Sequence, residues 1–185
     1  MRKSVLLLLL LWCTLSTLAQ PLHAPRSVAV GADGTLYVAT VDETTLQVFS
    51  PQGRLLARAA PRGTGEREVQ FPQRVLLVRG EVWLLDPPGR RVQIFEAQPP
   101  CRYLRTLPLP VDESQEAIDL AVDGAGRLFL LTRPDHRVHV LTPDGKPIAA
   151  FAGAGQQPDQ LANPTSMTVD RRGRILVTDT DRRLN

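Results

Sequence analysis

Residues 25–40 read PRSVAVGADGTLYVAT, and the phrase returns three times in altered spelling. PQRVLLVRGEVWLLD occupies 72–86, AIDLAVDGAGRLFLLT 117–132 and PTSMTVDRRGRILVTD 164–179. The marker glycines Gly34, Gly80, Gly126 and Gly173 stand 46, 46 and 47 residues apart. A second phrase follows the first three copies at a spacing of 46: LQVFS at 46–50, VQIFE at 92–96 and VHVLT at 138–142. The turns SPQGRLLA at 50–57 and TPDGKPIA at 142–149 lie 92 residues apart, two periods. A period of about 40 to 50 residues points to propeller blades or helical arrays.

Local pattern separates those two. Each unit holds short runs of Val, Leu, Ile and aromatics bounded by Gly, Pro and Asp, which are strand and turn signals. No segment after the first two dozen residues sustains a 3.6-residue period. The first unit therefore predicts strands near 26–30, 35–41, 45–50 and 54–59. Asp33-Gly34 is a pair suited to positive φ in a tight hairpin, and Pro51-Gln52-Gly53 suits the third turn. Neighbouring strand positions, such as Leu36 and Tyr37 or Val82 and Trp83, are both apolar although they point to opposite faces. A sheet apolar on both faces needs cover on both, which blades stacked around an axis supply. Ala29, Ala121 and Thr168 keep the innermost strand small, as a crowded axis requires. The predicted fold is all-β: a propeller of four-stranded antiparallel blades, with blade 1 at 25–71, blade 2 at 72–116, blade 3 at 117–163 and half a blade at 164–185.

The chain has 185 residues, 43% hydrophobic and 22% charged, a globular composition. Arg2 and Lys3, six consecutive leucines and Thr17-Leu18-Ala19 make residues 1–24 a secretory signal peptide, cleaved after Ala19 or Ala24. An uncleaved anchor is the alternative, although the apolar run falls short of the about 20 residues that span a bilayer. The expectation is an exported protein, extracellular or periplasmic, with no membrane span once the signal is removed. Without Arg2 and Lys3 the charge is 20 basic against 19 acidic residues, so the net charge says little about partners. No Lys or Arg run offers a nucleic-acid surface. Cys101 is the one cysteine of the mature chain, which leaves no internal disulfide.

The segments VFSPQGRLLARAAPRGTGEREVQFPQRVLLV at 48–78 and VHVLTPDGKPIAAFAGAGQQPDQLANPTSMTVDRRGRILVTDTDRR at 138–183 carry a family resemblance. The order is strand, turn glycine, strand, glycine-rich connector, Pro, strand, Gly, strand, Asp. In this the chain resembles the NHL-repeat family across essentially all of its mature length. The resemblance implies a β-propeller, commonly six-bladed and often closed by pairing the two ends. Propellers of the gluconolactonase-like group have similar blades. The chain holds roughly three and a half blades where propellers have about four to eight. Three readings stand: a partial product, an assembly completed by another copy, or an open arc. An open end exposes strand edges and predicts self-association there.

Binding residues concentrate on loops held by rigid scaffolds. The loops joining second to third strands include Asp42-Glu43-Thr44, Pro87–Arg90 and Arg133–His136. Those joining successive blades are 61–71, 108–116 and 152–163. Arg90, Arg133, Asp135 and His136 are the candidate binding residues of this face. Arg74 and Asp119 occupy equivalent innermost positions beside Ser27 and Ser166. They are expected to meet at the axis, either as a register-fixing ion pair or as a polar contact for a channel ligand. Thr40, Asp86, Thr132 and Asp179 share one position six residues after each marker glycine. They read as caps of the turn that begins there, or as a metal-binding carboxylate series. A catalytic zinc needs about three converging protein ligands, and His23, His136 and His139 do not assemble one. No nucleophile elbow, phosphate loop or dinucleotide fingerprint is present, so no catalytic residue, metal or cofactor is expected. The expected function is a binding or interaction scaffold with a protein or small-molecule ligand at the loop face or channel mouth. The alternative is a propeller hydrolase or lyase, lactonase-like or amidating-lyase-like, with a channel metal completed by further blades.

Overall fold

A computed structural model describes residues 22, 24–41 and 44–181. The signal-peptide reading, His23 and the Asp42-Glu43 turn lie outside the described residues. The described chain is all-β. The first sheet comprises β1 (Pro25–Val30), β2 (Leu36–Thr40), β3 (Thr44–Phe49) and β4 (Leu55–Pro61). The second comprises β5 (Arg74–Val78), β6 (Glu81–Asp86), β7 (Arg91–Glu96) and β8 (Tyr103–Pro108). The third comprises β9 (Glu116–Val122), β10 (Leu128–Arg133), β11 (Arg137–Leu141) and β12 (Pro147–Ala152). β13 (Pro164–Val169) and β14 (Ile175–Asp179) form a two-stranded sheet. Each sheet is antiparallel and keeps chain order, so every connection within a blade is a hairpin.

The first strands β1, β5, β9 and β13 contact one another in succession, which lines them along one axis. Between the sheets lie three apolar layers. Tyr37, Ala39, Leu46 and Val48 of the first blade pack with Val75, Val82, Leu84 and Phe95 of the second. Trp83, Leu85, Val92 and Ile94 of the second pack with Leu120, Leu128, Leu130 and Leu141 of the third. Phe129, Leu131, Val138 and Val140 of the third pack with Met167 of the fourth. Val82 and Trp83 are sequence neighbours, yet they enter different layers, one toward each flanking blade. The alternation of a strand thus gives every inner blade two apolar faces, one forward and one back.

Asp33-Gly34 do sit in a tight hairpin between β1 and β2. Gly31 N–H donates to Thr35 O at 2.8 Å and Gly34 N–H to Gly31 O at 2.9 Å, so three residues make the loop. Gly34 takes the left-handed position at φ 82°, and Asp33 does not. This is the three-residue arrangement with a bulge after a type I turn. Asp33 contributes through its side chain: its carboxylate accepts the Thr35 N–H at 3.0 Å and the Thr35 hydroxyl at 2.9 Å. The outer turn of blade two is also rebuilt. Pro99-Pro100 is a cis bond, and Cys101 sits left-handed at φ 58°, its N–H donating to Gln98 O at 2.8 Å.

Candidate functional site

Arg74 and Asp119 do meet near the axis, with Arg74 Nε 3.4 Å from Asp119 Oδ1. The contact is an ion pair without hydrogen-bond alignment, because Arg74 Nε finds no acceptor. Asp119 is 3% exposed and its oxygens are otherwise engaged. Oδ1 accepts the N–H of its neighbour Leu120 at 2.8 Å. Oδ2 accepts the Ser166 hydroxyl at 2.6 Å and the Met167 N–H at 2.7 Å, both from the next blade. Ser27 has the same role at the first junction, where it accepts the Val75 N–H at 3.2 Å. The innermost position of a blade therefore latches onto the backbone of the next. Arginine cannot accept a hydrogen bond, so at the middle junction Arg74 reaches for a carboxylate instead.

The position shared by Asp86 and Asp179 is a cap, as expected; Asp179 accepts the Asp181 N–H of its own turn at 3.4 Å, but the shorter bonds of both go to another segment. Asp86 Oδ1 accepts the N–H groups of Gln70 and Phe71 at 3.2 and 3.0 Å. Asp179 accepts those of Ala162 and Asn163 at 2.7 and 2.8 Å. Each carboxylate holds the connector arriving from the preceding blade. The local turn is the nearer candidate in sequence, because the connector is distant in the chain. Asp86 is fully buried and its second oxygen accepts Arg91 Nε at 3.0 Å. Thr132, where the connector is short, donates to Asp135 Oδ1 at 2.7 Å.

The connectors and the second-to-third-strand turns share one end of the molecule. The first connector folds back on itself through a parallel bridge between Arg62 and Val69. β7 grips it: Arg91 donates to Thr64 O and Glu68 O, and Gln93 to Glu66 O and Glu68 O. The third connector repeats the fold through Ala154 and Leu161. The middle connector is shorter and more acidic. There Asp112 accepts the N–H and hydroxyl of Ser114 at 2.8 and 2.6 Å, which hold its carboxyl below the usual range.

Arg90, Arg133 and Asp135 gather on this middle connector. Arg90 Nη1 lies 3.9 Å from Glu113, with the side chains 47% and 92% exposed. Arg133 meets Glu116 at 2.7 Å. Asp135 accepts Gln115 Nε2 at 2.7 Å and stands 3.7 Å from His139 Nε2. Burial alone would raise the Asp135 carboxyl, but hydrogen bonds from Thr132 and Gln115 and the nearby His139 hold it below its ordinary value. Pro87, Pro88, Arg90, Glu113, Gln115 and Glu116 enclose a groove of about 340 Å³. A second groove, about 380 Å³, adjoins it across Pro88 and runs along Arg62–Thr64, Gln70 and Phe71. His136 stands apart: its Nδ1 lies 3.0 Å from Leu161 O of the third connector. His136 and Arg90 are repeat equivalents and both sit left-handed, at φ 52° and 49°. Non-glycine residues rarely adopt that conformation outside constrained turns.

Glu113, Gln115 and Glu116 are the rim residues that sequence reading passes over, although the polar run 112–116 marks them. On the opposite end, Glu81 accepts both arms of Arg105 at 2.6 and 2.8 Å and the Trp83 indole N–H at 2.9 Å. These line a smaller groove of about 250 Å³ with Arg79 and Pro143. Among the described residues, no group of three or more His, Cys, Asp or Glu is placed to hold a metal ion. Among them, no helix is long and apolar enough to cross a membrane.

No protein-family model matches the sequence, and no curated protein matches it by sequence. Solved propellers match the fold. A catalytically inactive virginiamycin B lyase from Staphylococcus aureus with quinupristin superposes with a TM-score of 0.61 at 14% identity, over 88% of this chain and 51% of that one. The Cps50 (Swd1) β-propeller domain of Myceliophteria thermophila gives 0.63 at 10% identity, over 86% and 51%. A protein of Bacteroides fragilis gives 0.64 at 14% identity, over 86% and 45%. At these identities the likeness is one of fold: the chain is built of β-propeller blades. It spans about half the length of the solved structures it matches.

Proposed function

We propose that this chain is an exported NHL-type propeller scaffold that binds a charged peptide segment of a protein partner in the groove between the 87–90 turn and the 108–116 connector. One observation carries the reading. Arg90 and Glu113 face each other across the groove rim at 3.9 Å, loosely paired and largely exposed. Exposed ion pairs contribute about 0–1 kcal/mol, so both groups can exchange each other for a partner's charges at little cost. Pro87 and Pro88 give the groove a rigid wall. The NHL assignment rests on the repeat phrase and glycine-rich connectors, and the export on the leader sequence.

Selection of a random displayed peptide library on the purified chain tests this. Enriched peptides are expected to carry charges of both signs and to lose at least about tenfold in affinity, about 1.4 kcal/mol, toward an Arg90→Ala, Glu113→Ala variant. Arg105→Ala, at the opposite end, should leave them unaffected. Peptides that bind both variants equally would sink the reading. The lyase reading, raised by the S. aureus neighbour, predicts loss of quinupristin on incubation with the chain and divalent metal, followed by mass spectrometry.

A further inference from the structure

The first hairpin of blade two is built unlike its three counterparts. Val30 and Leu36, Val122 and Leu128, and Val169 and Ile175 are the last pairs of their ladders, with residues 31–35, 123–127 and 170–174 between them. In blade two Val78 pairs with Glu81, and only Arg79 and Gly80 intervene. Both are left-handed, at φ 51° and 84°, as a two-residue turn with positive φ at each centre requires. Each longer turn carries an aspartate, Asp33, Asp123 or Asp170, whose carboxylate accepts N–H groups of that turn. The short turn presents an arginine instead.

The groove of about 250 Å³ lies beside this short turn. Val78, Trp83 and Pro143 form its apolar wall, and Arg79, Glu81 and Arg105 its polar one. Glu81 is already matched, because it accepts both arms of Arg105 and the Trp83 indole N–H. Arg105 in turn lies over the Trp83 ring, 6.0 Å from its centroid, which adds a second hold on its guanidinium. Arg79 is not matched. Among the described residues it forms no ion pair, and its one hydrogen bond goes to Gly124 O of the next blade at 3.3 Å. A guanidinium has five N–H donors, so most of those of Arg79 remain for a ligand. Gly126 gives the side chain room, since a Cβ there would stand 3.4 Å from Arg79 Nη2. The groove thus holds one unmatched positive charge beside an apolar wall.

We infer that this groove binds a carboxylate borne on a short apolar body, with Arg79 holding the carboxylate and Val78, Trp83 and Pro143 covering the body. The planar fork of an arginine matches a carboxylate with two parallel hydrogen bonds. One unmatched positive charge suits one negative charge, and the Glu81–Arg105 pair beside it adds none. The volume lies below the about 300–1,000 Å³ of pockets for drug-sized ligands, which limits the body to the size of one apolar side chain. A free small acid and the C-terminal residue of a peptide share this chemistry. The groove is at the end of the molecule opposite the 87–90 turn, so the inference stands apart from the peptide reading given above.

Titration calorimetry on the full chain tests it, with 3-phenylpropanoate as the probe and 3-phenylpropanamide as its uncharged counterpart. The acid should bind one to one, and the amide at least about tenfold more weakly. Arg79→Asn should lose at least about tenfold in affinity for the acid with unchanged circular dichroism, because asparagine suits the left-handed turn position and carries no charge. Arg172→Asn, at an exposed arginine of the fourth blade's hairpin, should bind the acid as the wild type does. A second arm uses the peptide acetyl-Ala-Ala-Phe with a free C-terminus and the same peptide as its amide. Binding of the free-ended peptide, lost in the amide and in Arg79→Asn, supports the inference with a peptide terminus as the source. Binding of 3-phenylpropanoate alone supports it with a small acid as the source. Equal binding of acid and amide, an Arg79→Asn variant that binds as the wild type does, or no binding of either probe at millimolar concentration overturns it.

Discussion

Asp119 accepts the backbone N–H of Met167, 48 residues further on, at 2.7 Å, and so fastens the third blade to the fourth. The same carboxylate stands 3.4 Å from Arg74 of the second blade, so one buried side chain touches three blades.

Removing it should be costly. Asp119→Ala leaves the Met167 N–H without its acceptor and Arg74 without its counter-charge. The expected loss is about 2–4 kcal/mol in urea unfolding. Arg74→Met should cost less than about 1 kcal/mol, because Asp119 keeps three other donors and Arg74 Nε makes no hydrogen bond. Equal losses for the two would refute this division of labour.

Asp86 makes a separate prediction about the first connector. Asp86→Ala should lose about 2–4 kcal/mol and expose residues 62–71 to limited proteolysis, since their anchoring acceptor is gone. Asp86→Asn keeps a carbonyl for the Gln70 and Phe71 N–H groups and loses only the Arg91 charge, so its cleavage should stay slow. Rapid cleavage of the asparagine variant would show that Arg91, not the cap, holds the connector.

Acid should loosen the first hairpin of three blades together. Asp33 is held below its usual range by the Thr35 N–H and hydroxyl, and Asp170 by the Arg174 N–H and side chain. Burial opposes the shift at Asp123, and hydrogen bonds from Arg127 outweigh it. A carboxylate depressed in the folded state stabilises fully above its unfolded pKa, about 3.9, and that stabilisation is lost as pH falls through the lower folded value. Urea midpoints should therefore be flat from neutrality to about pH 5 and fall below about pH 4. Asp123→Asn should reduce the fall. A midpoint that rises on acidification would contradict the assignment.

Cys101 should be nearly inert in the folded protein. Burial, with Glu96 adding to it, pushes its thiol up to about 11. The thiolate is the reactive form, so iodoacetamide at pH 8 should label Cys101, assigned by peptide mapping, only as fast as the blade opens. Labelling at the rate of a free thiol would show that the rebuilt turn leaves the sulfur open.

The fold is legible because it is written four times. Period, strand alternation and turn residues agree with one another, and no distant information is needed to place a hairpin. The partners of the polar side chains are less legible. Asp86 and Asp179 have obvious local turns to cap, yet their shorter backbone bonds reach a connector 15 to 17 residues upstream. Asp33-Gly34 reads as part of a tight hairpin, but its loop length is set by contacts the pair does not announce: the Asp33 side chain bonding Thr35 favours three residues. Arg74 and Asp119 can be paired from sequence because the repeat frame gives them one position in adjacent blades. Glu113, Gln115 and Glu116 have no counterpart in the longer connectors, so the frame draws no attention to them.

The junctions at Ser27–Val75 and Asp119–Met167 join only neighbours. Stability in such an array is close to a sum of blade terms and nearest-neighbour couplings, as in a one-dimensional Ising chain. Blades two and three, with an apolar layer on each side, are coupled to two neighbours. In native-state hydrogen exchange the amides of their central strands β6 and β10 are the last to go.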